Sequence, residues 1–218
     1  MSMLSHSFTS RFQLNLGAFV LWLFICSALI GMSLGYEQWF ITKTPLNLLL
    51  VALILVWIYP IRDRNYWSAW FIAFATGMAV EILGVQTGLI FGDYEYGDNL
   101  GLMVLDVPLL IGVNWAVLSF VTYAISRKLV RNALGQMMLG GFLMVLIDIP
   151  MEQLASRFDF WHWAGDHIPL QNYVAWLVTA FFLQWVLRRL VDRGNYVISS
   201  HIYLSQFVFF VLSYLILS

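Results

Sequence analysis

Charged residues are scarce in this chain of 218 residues: Asp, Glu, Lys and Arg make up 11% of it, whereas hydrophobic residues make up 61%. The mean hydropathy is +0.80. A composition so poor in charge excludes an ordinary water-soluble domain and predicts an integral membrane protein. The formal net charge of −1 gives no sign of a nucleic-acid partner.

Cysteine and the common catalytic motifs are equally scarce. Cys26 is the only cysteine, which excludes an internal disulfide or a cysteine metal cluster. The chain has no glycine-rich phosphate loop, no serine nucleophile elbow and no histidine array for a di-iron centre. It has few of the acidic magnesium motifs and basic groups that a diphosphate substrate needs. What remains is acid chemistry on a neutral, apolar substrate, with no metal or cofactor expected.

Seven apolar runs joined by short loops predict an all-α polytopic bundle of about seven transmembrane helices, forming one domain over residues 1–218. The second run is short for a span. The runs are 16–34, 45–59, 66–83, 107–126, 133–155, 170–190 and 202–217.

The basic residues predict the orientation of this bundle. With a cytoplasmic N-terminus and seven spans, only Lys43 and Arg157 fall in outer loops, as the positive-inside rule favours. We therefore expect a multi-pass protein of the cell's inner (cytoplasmic) membrane. The basic residues on the predicted inner side are Arg11, Arg62, Arg64, Arg127, Lys128, Arg131, Arg188, Arg189 and Arg193.

Three acidic residues interrupt the apolar runs at a similar depth in the outer half of the membrane. They are Glu81 in the third run and Asp148 and Glu152 in the fifth. Ionisable groups inside a membrane are costly, so they indicate a functional site. Asp148 and Glu152 share a helix face by their spacing, unless Pro150 between them kinks the helix.

Asn114 and Asn172 enter the membrane at comparable depth, which completes a layer of polar side chains. The alternative for Glu81 is a hydrogen bond that merely joins two helices, and the two asparagines could serve packing or capping. Gly77 and Gly84 lie on the same helix stripe as Glu81, and we expect them to let a neighbouring helix approach closely.

Two outer segments, 91–98 and 158–163, are rich in aromatic residues and turn formers. Tyr94 and Tyr96 alternate with acids, which predicts a short extended hairpin over the mouth of the bundle. An interfacial aromatic belt is the alternative. Asp106, two residues before Pro108, is expected to cap the next helix in preference to a catalytic role.

Buried carboxyl groups beside aromatic rings indicate a particular chemistry. A carboxyl group in a low-dielectric site can stay protonated and donate its proton to an alkene. Aromatic faces stabilise the resulting tertiary carbocation by about 2 kcal/mol when it is desolvated. A second carboxylate or an amide can then position the water that captures the cation, or remove a proton from it.

Ordered motifs between residues 66 and 176 resemble those of the CruF-type carotenoid 1,2-hydratases. One departure is Glu152, where many relatives have aspartate followed by proline. The motifs are EILGVQTGLIFGDYEY at 81–96, VPLL at 107–110, NW at 114–115, DIPME at 148–152, WHW at 161–163, IPLQN at 168–172 and Trp176.

The resemblance implies a cofactor-independent hydro-lyase that adds water across the terminal 1,2 double bond of an acyclic carotenoid, either lycopene or gamma-carotene. We expect Asp148 or Glu152 to donate the proton and Glu81 with Asn114 to position the water. The substrate would come from the lipid phase, with water as co-substrate, membrane lipids as surroundings and other carotenoid-pathway enzymes as candidate partners. The expected substrate-binding residues are Tyr94, Tyr96, Trp115, Trp161, Trp163, Asn172 and Trp176.

Two other functions are compatible with buried acids. An intramembrane lycopene cyclase would use the same protonation but exclude water and form a ring. A small proton-coupled transporter would relay protons, although the sequence has no detectable inverted repeat and its polar groups gather at one depth.

Overall fold

The computed structural model of the protein describes residues 10–59, 63–165 and 167–218. It confirms the predicted all-α architecture of a multi-pass membrane protein. The helices are α1 (Arg11–Ser33), α2 (Glu37–Ile41), α3 (Thr44–Ile58), α4 (Arg64–Thr87), α5 (Leu109–Leu129), α6 (Ala133–Ala155), α7 (Leu170–Leu190) and α8 (Tyr196–Leu217). The strands are β1 (Tyr94–Tyr96), β2 (Met103–Val104), β3 (Val107–Pro108) and β4 (Trp161–Trp163), and a 3-10 turn spans Asp98–Leu100.

Six of the helices within the described ranges, all except α2 and α3, are long and apolar enough to cross a membrane. The remaining predicted run, the second (45–59), corresponds to α3, which has 15 residues. At 1.5 Å per residue it is about 22 Å long, shorter than the roughly 30 Å of a bilayer's hydrocarbon core.

One end of the bundle, which we call the loop end, carries the two long loops between α4 and α5 and between α6 and α7. Asn99 Nδ2 there donates to the carbonyl oxygens of Ile41, just before α3, and Phe158, just after α6. Arg157 pairs with Glu37, with 2.6 Å between Nε and Oε1. The guanidinium lowers the pKa of the Glu37 carboxyl below its ordinary value.

The opposite end carries most of the basic residues, and we call it the basic end. The Tyr59 hydroxyl at the end of α3 donates to the Phe120 carbonyl in α5. Arg127 of α5 donates to the Val191 carbonyl after α7. The basic side chains in the last turns of α5 and α7 interact favourably with the negative ends of the helix dipoles there. The residues Arg62, His6 and Asp166 lie outside the described ranges.

Helix boundaries follow from local sequence. Ser10 and Gln13 form a capping box at the start of α1, and Asn132 accepts a hydrogen bond from the third backbone N–H of α6. Gly88 ends α4 in the left-handed conformation, with φ of 67°. Pro150 lies inside α6, which continues without interruption from Ala133 to Ala155.

The core centres on α5, which packs against α3, α4, α6, α7 and α8. Most of α5 is buried, including Trp115 and Phe120. The close packing of α4 on α5 depends on a glycine: a Cβ on Gly77 would lie 2.6 Å from Cβ of Trp115. The sequence prediction of a close helix approach at this glycine is therefore confirmed.

Two loop predictions are wrong. Asp106 does not cap α5; with Leu105 it forms the two-residue turn between β2 and β3, and both residues have positive φ, as a type I′ hairpin requires. Its carboxylate accepts a hydrogen bond from Gln86 Nε2 instead. β1 is extended as predicted, but it pairs with the distant strand β4 and not within a local hairpin.

We predict that Gly77→Ala lowers the thermal unfolding midpoint of the protein in detergent. Alanine normally stabilises a helix by up to about 1 kcal/mol relative to glycine. Here the added methyl would overlap Trp115, and overpacking costs about 1–3 kcal/mol.

Gly141→Ala in α6 is the matched control, because its Cβ would make only ordinary contacts, the nearest at 3.4 Å. Equal midpoints for the two variants would contradict the close approach of α4 and α5.

Candidate active site

A two-stranded ribbon of aromatic residues covers the loop end of the bundle. β1 and β4 pair antiparallel, with Tyr94 opposite Trp163 and Tyr96 opposite Trp161. The rings of Tyr94 and Trp163 lie 5.0 Å apart. Because side chains alternate along a strand, all four rings lie on one face and Glu95 on the other, where it is exposed. We call residues 94–96 and 161–163 the aromatic ribbon.

The ribbon supplies two of the three hydrogen bonds to Glu81, a buried residue of α4. The hydroxyls of Tyr94 and Tyr96 donate to Glu81 Oε2 at 2.5 and 2.7 Å. Trp115 of α5 donates its indole N–H to Oε1 at 3.0 Å. Burial, with the adjoining Glu81 carboxylate, raises the pKa of both tyrosines, so they remain protonated donors at neutral pH.

Glu152 of α6 has a matching environment. The indole N–H groups of Trp161 and Trp163 donate to its Oε2 at 3.0 and 2.8 Å. Asn172 of α7 donates from Nδ2 to Oε1 at 2.9 Å. Each of the two glutamates thus has three of its four lone pairs occupied and retains one on Oε1.

Asp148 lies one helical turn before Glu152 and shares its asparagine. Asn172 Nδ2 also donates to Asp148 Oδ2, at 3.2 Å. The predicted common face of the two acids is therefore confirmed despite Pro150 between them. Asp148 is fully buried, and its Oδ1 has no hydrogen-bond partner among the described residues.

Glu81 and Glu152 line a small chamber of about 30 Å³, large enough for one water molecule. No Lys, Arg or His is among the described residues that line it. Asp148 does not line the chamber, but it is hydrogen-bonded to Asn172, which does. The lining residues are Glu81, Phe91, Tyr94, Tyr96, Ile111, Asn114, Trp115, Met151, Glu152, Trp161, Trp163, Asn172 and Trp176.

The chamber thus brings together ten of the eleven side chains singled out from the sequence, with Asp148 one contact away. Trp115 and Trp176 stack in it with ring centroids 4.2 Å apart. Sequence reasoning missed Phe91, Ile111 and Met151. Phe91 had a signal in its place in the aromatic segment before β1, and Met151 had one in its place within the motif DIPME, whereas Ile111 lies outside the quoted motifs.

The chamber adjoins a much larger cavity of about 370 Å³. Both are bounded by Ile111 and Asn114 of α5, Met151 of α6 and Trp161 of the ribbon. The larger cavity is otherwise walled mainly by apolar side chains of α1, α2, α3 and α8. An acid-lined chamber therefore lies at the side of an apolar one.

The two outer histidines have local partners. His162 Nε2 lies 3.1 Å from Asp159 Oδ1, and His167 Nδ1 lies 3.1 Å from the Gly165 carbonyl oxygen. Within the described ranges, no three His, Cys, Asp or Glu side chains gather as metal ligands would.

Fold and site together define a polytopic membrane protein with a buried acid and aromatic chamber. The chain belongs to the carotenoid biosynthesis protein family, which matches residues 43–218. Its family membership assigns it to carotenoid biosynthesis.

The chain is also similar to the bisanhydrobacterioruberin hydratase of Haloarcula japonica. The two are 28% identical over 130 residues, which cover 56% of this chain and 44% of the relative. The match thus spans less than half of the relative's length. No solved structure shows significant similarity to the chain.

We predict that Asn172→Asp destabilises the protein by about 3 kcal/mol, because it removes the donor shared by two buried acids and adds a third carboxyl group. The double variant Asn172→Asp with Glu152→Gln should recover part of this loss. The glutamine could accept from both tryptophans with its oxygen and donate to Asp at position 172 with its amide. Thermal unfolding in detergent measures both effects, and a double variant no more stable than Asn172→Asp alone would contradict the assigned hydrogen bonds.

Proposed function

We propose that the protein is a carotenoid hydratase that adds water across the terminal 1,2 double bond of an acyclic carotenoid. The observation that carries this proposal is the chamber of about 30 Å³, which has two carboxyl groups on its walls and adjoins a large apolar cavity. The likeness to a bisanhydrobacterioruberin hydratase supports the same reaction class. The candidate substrates are lycopene and gamma-carotene, with bisanhydrobacterioruberin as a third.

The proton comes from the pair of Asp148 and Glu152. The described residues place no cation in hydrogen-bonding contact with either acid, and both are within reach of one amide. Two such carboxylates repel each other, so the arrangement with the lower electrostatic energy holds one proton between them. Glu152 lines the chamber and delivers the proton, while Asp148 shares it from behind.

Proton transfer to C2, the CH carbon of the terminal double bond, leaves a tertiary carbocation on C1, the carbon that carries the two methyl groups. The π faces of the chamber's aromatic rings, among them Trp115 and Trp176, stabilise that charge. The negative charge left on the acid pair stabilises it as well.

Water then attacks the cation, and the water loses a proton as its oxygen bonds to carbon. Glu81 is suited to orient the water and accept this proton, because three donors hold it in place and Oε1 keeps a free lone pair. Asn114 borders both the chamber and the apolar cavity and is placed to position the same water. The proton finally returns to the acid pair, so the net change is one water added per double bond.

A cyclase would use the same first step but needs water kept from the cation. The chamber's volume and polar walls favour hydration, because a water molecule there finds several hydrogen-bonding groups. The product decides between the two reactions: hydration adds the mass of one water per modified end, whereas cyclisation leaves the mass unchanged.

We predict that the chain converts lycopene in a lycopene-accumulating bacterium to products heavier by one water per modified end. Glu81→Gln, Asp148→Asn and Glu152→Gln should each lower conversion by about 100-fold or more, as loss of an acid or base group does. Chromatography and mass spectrometry of the pigments, at matched protein levels in the membrane, give the measurement.

Glu95→Gln is the matched control, since Glu95 lies in the ribbon but on its outer, exposed face. It should convert lycopene as the wild type does. A cyclic product of unchanged mass would show a cyclase instead. Absence of any product from lycopene, gamma-carotene and bisanhydrobacterioruberin would refute the proposed function.

A further inference from the structure

The cavity of about 370 Å³ has the size and walls of a ligand site. Pockets for small molecules typically measure about 300–1,000 Å³ and are lined mostly by apolar side chains. Here the walls include Phe24 and Ala28 of α1, Phe40 of α2, and Phe209 and Phe210 of α8. At the low end of that range, the cavity suits a segment of a long chain and not an entire carotenoid.

One side of the cavity faces the surroundings of the bundle. Phe24, Trp39 and Leu46 line it and are also largely exposed, at 42%, 59% and 59%. These three side chains belong to α1, α2 and α3. In a membrane-spanning bundle, exposed apolar residues on the helices meet lipid chains, so a hydrocarbon can reach this side without crossing water.

The other side of the cavity reaches the acids. Met151 and Trp161 line both the cavity and the chamber. Met151 directly precedes Glu152 in the chain, and Trp161 donates a hydrogen bond to the Glu152 carboxylate. The end of a chain lying in the cavity would therefore reach the boundary that the cavity shares with the chamber.

We propose that this cavity holds the terminal isoprenoid segment of the substrate, which enters from lipid between α1 and α2–α3 while the rest of the polyene stays in the membrane. Its last double bond would pass Asn114 and Met151 to reach the chamber. The proposal rests on the proposed function for its choice of ligand, but its test changes residues that take no part in the chemistry.

The test fills the cavity with a side chain. Ala28→Phe adds an aromatic ring to the cavity wall, and Ala18→Phe is the matched control on the same helix, half-buried like Ala28 but outside the cavity. Each full-length variant is produced in a lycopene-accumulating bacterium and purified in detergent. Two quantities are measured: the carotenoid retained per protein, by absorbance, and the fraction of lycopene hydrated, by mass spectrometry.

Ala28→Phe should reduce both quantities by about tenfold, as overpacking of a binding site does, and Ala18→Phe should leave both near wild-type values. If Ala28→Phe fails to accumulate, a second pair of variants repeats the comparison at exposed positions of α1. Ser27→Phe is then the test, because Ser27 lines the cavity, and Cys26→Phe is the control, because Cys26 does not.

The two proposals fail in different ways. Equal retention and hydration by Ala28→Phe and Ala18→Phe, with an active wild type, would overturn the cavity assignment and leave the hydratase standing. If the wild type and Ala18→Phe retain carotenoid, Ala28→Phe does not, and the wild type hydrates nothing, the cavity assignment would be supported and the hydratase chemistry overturned.

Discussion

The structure of the loop end depends on one constraint: buried carboxyl groups must receive hydrogen bonds from groups that carry no charge. Among the described residues, no basic side chain bonds to Glu81, Asp148 or Glu152, so neutral donors are the available compensation. Four of the six donors to the two glutamates come from the aromatic ribbon. Two loops joined by strands of only three residues each are thus tied to the membrane helices by the acids below them.

This arrangement gives each aromatic side chain two functions. A tyrosine O–H or tryptophan N–H lies in the plane of its ring, so the edge can bond to a carboxylate while the faces remain available for other contacts. Trp115 does both, donating to Glu81 and stacking on Trp176. In the proposed reaction, the same rings that fix the acids surround the carbocation. Positioning of the acid and stabilisation of the cation would then be properties of one rigid assembly.

Much of the site could be predicted from sequence because depth in a membrane is nearly a one-dimensional property. Counting residues along apolar runs brings Glu81, Asp148, Glu152 and Asn172 to one level, and the four-residue spacing fixes the common face of the two α6 acids. The pairing of β1 with β4 could not be predicted, since strands of three residues carry almost no pairing signal. The prediction that Asp106 caps α5 was wrong for a similar reason: an aspartate shortly before a proline is equally typical of a helix cap and of a tight turn.

The apolar cavity was beyond sequence reasoning for a different reason. Its walls come from α1, α2, α3 and α8 as well as from the helices that carry the motifs, and an apolar side chain facing a cavity looks the same in sequence as one facing lipid or core. Of the residues in the recognised motifs, Asn114, Met151 and Trp161 lie on the boundary of the cavity, all three at its border with the chamber. The division has a physical basis: acid chemistry requires particular side chains at fixed positions, whereas a hydrocarbon requires only an apolar space of suitable size. The fit of the substrate's terminal segment would then be set largely by helices whose sequences carry little of the motif pattern, while the reaction would be set by α4 to α7 and the ribbon.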